Sequence, residues 1–86
     1  MKNMISAPAF HATAWGKGGF VICGEMGSLA FLSDSKDKAK LVNSHCFEDL
    51  MVALPRDPSN PDLVCCGGVN RLILVQKGKV IKNYRI

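Results

Sequence analysis

FVICGEMGSLAFLS, residues 20–33, is echoed by LVCCGGVNRLILVQ, residues 63–76. Laid over one another at an offset of 43, Cys23 falls on Cys66, Gly24 on Gly67 and Leu29 on Leu72. Each stretch is a glycine turn between two short apolar runs, the pattern of two tightly joined strands. The surrounding elements repeat in the same order. Ala14-Trp15 corresponds to Ala53-Leu54, and Lys40-Leu41-Val42 to Lys79-Val80-Ile81, both at an offset of 39. One longer loop, PRDPSNP against GKGG, and one shorter turn, KGK against DSKDK, account for the drift from 39 to 43 and back.

Working outward, the chain resolves into about eight short strands. They are FHATAW (10–15), FVIC (20–23), LAFLS (29–33), AKLVN (39–43), LMVAL (50–54), DLVCC (62–66), RLILVQ (71–76) and VIKNYRI (80–86). No window carries an apolar stripe of helical period over three turns. Residues 1–9 read as an extended lead-in, where Pro8 blocks a helix. Residues 10–43 form a first blade-like repeat and residues 44–86 a second. A period near forty residues with four strands per unit is that of a β-propeller blade. The expected fold is therefore all-β, with two four-stranded antiparallel blades that are incomplete on their own.

Composition narrows the function classes. Hydrophobic residues make up 48% of the 86 positions, too many for a disordered tail. A chain this short buries a modest core. Its longest apolar runs are four to six residues, against roughly 20 for a membrane span. The opening MKNMISAPAFHATAW lacks the apolar centre of a secretory signal. A soluble, intracellular, cytoplasmic chain without a membrane partner is expected. Eleven Lys and Arg against seven Asp and Glu give a net charge of +4. The basic end, with Arg71, Lys77, Lys79, Lys82 and Arg85, reads as the solvated positions of alternating strands. No run of aromatic side chains lies between them for base stacking. Nucleic acid is thus not the expected partner. A small basic β-barrel domain binding nucleic acid stands as the alternative.

Catalytic and metal chemistry find no constellation. Cys23, Cys46, Cys65 and Cys66 include an adjacent pair whose side chains point to opposite faces of a strand. Three of the four sit in apolar runs, so buried thiols are expected ahead of metal ligation or disulfides. The C-x-x-C spacing of zinc sites is absent. Cys46 and His45 are neighbours in an extended segment and point apart, which spoils them as a nucleophile–base dyad. His45 reads instead as a structural hydrogen-bonding residue, and His11 precedes or enters a strand. GKGG and GEMGS lead into no helix and carry no GK[ST], so they are turns rather than phosphate cradles. The acidic residues lack the spacing of a calcium loop, and Glu48-Asp49 reads as a solvated pair. No enzyme activity, cofactor, metal or small-molecule substrate is expected. Phe10, Trp15 and Phe20 are assigned to the core between neighbouring sheets.

These residues resemble the WD-repeat β-propellers in a degenerate form, over roughly residues 10–86. Ser44-His45 stands where that family has Gly-His. Val52-Ala53-Leu54, Pro58 and Leu63 to Gly67 are similar to its first strand, loop and second strand. Leu72 to Val75 resembles its third strand, and Val75-Gln76 lies at the place of Trp-Asp. In the first copy Met26-Gly27-Ser28-Leu29 resembles the Asp-Gly-Thr-Val turn, and Leu32-Ser33 takes the Trp-Asp place. Both Trp-Asp dipeptides are replaced, and the turn aspartate is Met26 in one copy and Val69 in the other. The family's buried Asp-His-Ser/Thr-Trp network is therefore not carried in full. GGFVICGEMGSLAFLSD is also similar to blade openings in the large propeller proteins of cilia and flagella.

The resemblance implies a non-enzymatic protein-interaction scaffold, in a cytoplasmic and by the finer likeness an axonemal setting. Closed propellers have about four to eight blades, and open sheet edges invite pairing. The expected partners are other protein chains or the remaining blades of a propeller. The residues expected to touch them are Arg56 and Asp57, in the PRDPSNP loop, with Lys77, Lys79, Lys82 and Arg85.

Overall fold

A computed structural model describes residues 8–16 and 18–86. The expected lead-in falls largely on residues 1–7 and the GKGG turn includes residue 17, and these positions lie outside the described residues. The chain is all-β. Strands β1 (Ala9–Ala14), β2 (Gly19–Gly24), β3 (Leu29–Ser33) and β4 (Lys40–Leu41) form one antiparallel meander. Strands β5 (Leu50–Pro55), β6 (Leu63–Gly68), β7 (Arg71–Gln76) and β8 (Lys79–Arg85) form a second. Each sheet runs in sequence order, so every connection is a local turn. β4 and β5 are not paired, and the eight strands stay as two open sheets. The alternative of a closed barrel is thereby corrected.

The turns follow from their residues. Lys77 and Gly78 join β7 to β8 with φ of 51° and 81°. Two positive φ values make the primed turn whose twist matches that of the strands. Between β2 and β3 the chain makes one 3-10 turn, Glu25–Gly27, with Met26 and Gly27 both in the left-handed region. The charged DSKDK loop shortens the expected strand at 39–43 to the two residues of β4.

Each sheet carries a bulge near the start of its first strand. Phe10 is the extra residue in β1 and Met51 in β5. Opposite the bulges lie Gly24 and Gly68. A Cβ on Gly24 would run into the Pro8 carbonyl, and one on Gly68 into the Asp49 carbonyl. These landmarks fix which residues are equivalent. Phe10 corresponds to Met51, Ala12 to Ala53, Gly24 to Gly68, Leu29 to Leu72 and Lys40 to Lys82. The Leu29–Leu72 match expected from the echo holds. The other matches are corrected. Cys23 corresponds to Gly67 and not Cys66, and Gly24 to Gly68. Ala53 corresponds to Ala12 and not Ala14, and Lys40 to Lys82 and not Lys79. In strands apolar on both faces, an alignment one residue off reads equally well while exchanging the faces.

The core lies between the sheets. Val21, Cys23, Leu29 and Phe31 from the first meet Ala53, Val64, Cys66, Ile73 and Val75 from the second. Full burial of a side chain such as Leu29 or Ile73 contributes roughly 1.5–3 kcal/mol. Cα atoms of β5 come within 8 Å of those of β1 and β2, closer than the ~10 Å of ordinary stacked sheets. Cys23, Ala53 and Cys66 are small enough to permit it. Cys23 and Cys66 both lie in this core, near enough for each thiol to shift the ionisation of the other. The echoed cysteines thus face each other from opposite faces of equivalent sheets.

Candidate protein-interaction site

Cross-strand partners share a face, so the register assigns each side chain to the core or to the far side. On the far side of the first sheet stand Ala12, Phe20, Ile22, Leu32 and Leu41. On the far side of the second stand Val52, Leu54, Cys65, Leu72, Leu74 and Tyr84. Both sheets are therefore apolar on both faces. A sheet with one solvated face alternates apolar and polar residues instead. Phe20 keeps 49% of its surface exposed, Leu54 53% and Tyr84 46%. Trp15 joins the core, packing edge-on against Phe31 with ring centroids 5.1 Å apart. Phe10 and Phe20, assigned to the core with it, are exposed.

The connection between the sheets, residues 42–49, is held by a polar network. Ser44, 3% exposed, donates from Oγ to the Gly27 carbonyl at 2.7 Å. Asn83 Nδ2 donates to the Ser44 carbonyl at 3.1 Å, and Arg71 donates to Asn83 Oδ1 at 3.1 Å. The Arg71 Nε–H donates to Glu48 Oε1 at 2.9 Å. Arg71 and then the Cys46 thiol, which also donates to that carboxylate, hold the Glu48 carboxyl below its ordinary range. Burial pushes the Cys46 thiol up, which suits a structural residue rather than a nucleophile. One expectation is corrected here. The buried hydrogen-bonding residue is Ser44, while His45 is exposed with φ of 58°. Asp49 is exposed and Glu48 half-exposed, as a solvated pair would be, and each also takes a partner, Asp49 accepting the Met26 N–H at 3.0 Å.

The residues expected to touch partners do not form one surface. Arg56 and Asp57 sit in the exposed β5–β6 loop. That loop is pinned to the first sheet by Gly16 N–H, which donates to the Pro61 carbonyl at 2.8 Å. Asp57 is held below its usual range by hydrogen bonds from the Ser59 N–H and hydroxyl. The register puts Lys77 and Lys79 at the same end of the sheet as this loop. Lys82 stands on the far face opposite Leu74, and Arg85 at the other end opposite Arg71. The sequence reading missed a cavity of about 500 Å³ between Trp15, Phe31 and Ser33 and the charged residues Lys36, Asp37, Lys38 and Lys40. Its only sequence signal is the lysine spacing of a loop that otherwise reads as solvated.

Cys65 is half-buried on the far face, while Cys23, Cys46 and Cys66 are buried, and all four are free. The Cys23 neighbour and then burial drive the Cys66 thiol well above its ordinary value. Among the described residues no three His, Cys, Asp or Glu side chains gather as a metal ion requires. Among them no helix is long and apolar enough to cross a membrane. No protein-family model matches the chain, and no curated protein or solved structure matches it.

Proposed function

We propose that the chain is a two-blade segment of a β-propeller of WD-repeat type that serves as a non-enzymatic scaffold for protein–protein interaction. One observation carries this reading: both sheets are apolar on both faces, yet each has only one face covered. A sheet built this way belongs in a stack of sheets. The equivalence of bulges, glycines and strands supports it further. Sheets related as blades present opposite faces to one another, as Cys23 and Cys66 do. Further blades cover the far faces, and the exposed loops at the Arg56–Lys77 end offer contacts to partner proteins. A cytoplasmic setting, in its finest form the axoneme of a cilium or flagellum, goes with this reading through the sequence likeness alone.

The test is dye binding and circular dichroism on the isolated 86-residue chain. Exposed apolar faces predict strong binding of an apolar-surface dye to a chain with a β spectrum, or association into larger species. A folded β monomer that binds no dye would overturn the reading.

A further inference from the structure

We infer that the far face of the second sheet is a docking surface for the far face of the first sheet of another copy of this chain, head to tail. The inference rests on the blade reading above and names the occupant. The two far faces are not alike. Val21, Leu29 and Phe31, on the covered face of the first sheet, correspond to Cys65, Leu72 and Leu74 on the far face of the second. Conversely Ala53, Val64 and Val75, on the covered face of the second sheet, correspond to Ala12, Phe20 and Leu32 on the far face of the first. The chain therefore already contains one contact of this kind and leaves both halves of a second one open. A further copy supplies the missing half in the same orientation.

Charge does not oppose the contact. Lys82, on the far face of the second sheet, corresponds to Lys40, which remains exposed at the edge of the covered face of the first. Because unlike faces meet, the contact is heterologous and repeats until the rotation closes a ring. Propellers close at about four to eight sheets, which corresponds to about two to four copies.

Sedimentation velocity over a range of concentrations tests this. The expected wild-type species is a discrete assembly of about two to four copies. Phe20→Glu spoils one far face and Leu54→Glu the other, so each variant alone is expected to sediment as a monomer. Mixed in equal amounts they retain one good contact and should give a one-to-one dimer. A single variant that still dimerises overturns the head-to-tail arrangement, because like faces then pair. A folded wild-type monomer that binds apolar dye overturns the second copy as occupant while leaving the blade reading standing. One that binds no dye overturns both. A readout free of variants is the Cys65 thiol on the docking face. It should be protected from alkylation in concentrated samples and react on dilution. Equal reactivity at every concentration overturns the inference.

Discussion

The Nδ1 atom of His11, in β1, accepts a hydrogen bond from the backbone N–H of Ala53, in β5, at 3.0 Å. β5 is an edge strand of its sheet, and an edge N–H directed away from the ladder has no strand to pair with. The imidazole of one sheet supplies that partner to the other. To accept at Nδ1, the ring carries its proton on Nε2.

Replacing His11 with alanine is therefore expected to strand the amide of Ala53, a residue with no exposed surface. An unpaired buried donor costs about 1–3 kcal/mol. Urea unfolding followed by circular dichroism should show a lower midpoint with an unchanged slope. An unaltered midpoint would remove His11 from the sheet contact.

The glycines opposite the bulges should be intolerant of a methyl group. Gly24→Ala and Gly68→Ala each drive a Cβ into a backbone carbonyl, of Pro8 and of Asp49. Overpacking of this kind costs about 1–3 kcal/mol. Gly67→Ala is the control, because its Cβ would meet nothing nearer than Val52 Cγ1 at 3.6 Å. That change should be neutral or slightly stabilising, since alanine restricts the unfolded chain. Equal losses at Gly67 and Gly68 would contradict the bulge geometry.

Stability should fall in acid in a way that depends on Glu48. Its carboxyl is held below the ordinary value, chiefly by Arg71. A carboxylate with a lowered folded-state pKa contributes stability above the unfolded value, and loses it as pH falls through the folded one. Thermal melts of wild type and Glu48→Gln should differ most at neutral pH and converge at the acid end. Asp57, lowered by Ser59, adds a share that the variant retains. Parallel curves across the whole range would show that the Glu48–Arg71 pair does not contribute to folding.

Thiol labelling of a dilute sample, mapped by mass spectrometry, should find Cys65 first. Cys23, Cys46 and Cys66 are buried, and Cys66 resists forming the thiolate that reacts. Those three are expected to label only on unfolding. Labelling of Cys66 as fast as Cys65 would mean that the sheets part readily along β1 and β5.

The strands were legible because each is a short apolar run bounded by glycine, proline or charge, and these signals are local. LAFLS and RLILVQ coincide with β3 and β7 to the residue. The site was less legible. Ser44 and His45 are adjacent polar residues in a connection, and only the approach of Gly27 decides which one is buried. The partners of Glu48 and Asp49 were not legible, because Arg71 and Met26 lie 23 residues away in opposite directions along the chain.

The sequence by itself determined that the chain is all-β, that its strands come in two sets of four, and that its turns are tight. Periodicity and turn chemistry are properties of neighbouring residues, so they survive without tertiary contacts. Which faces meet was decided only by the tertiary structure. A strand apolar on both sides gives no hint of its inward face. The packing of the sheets puts Cys23 and Cys66 in one core, although the strand register makes Cys23 the equivalent of Gly67.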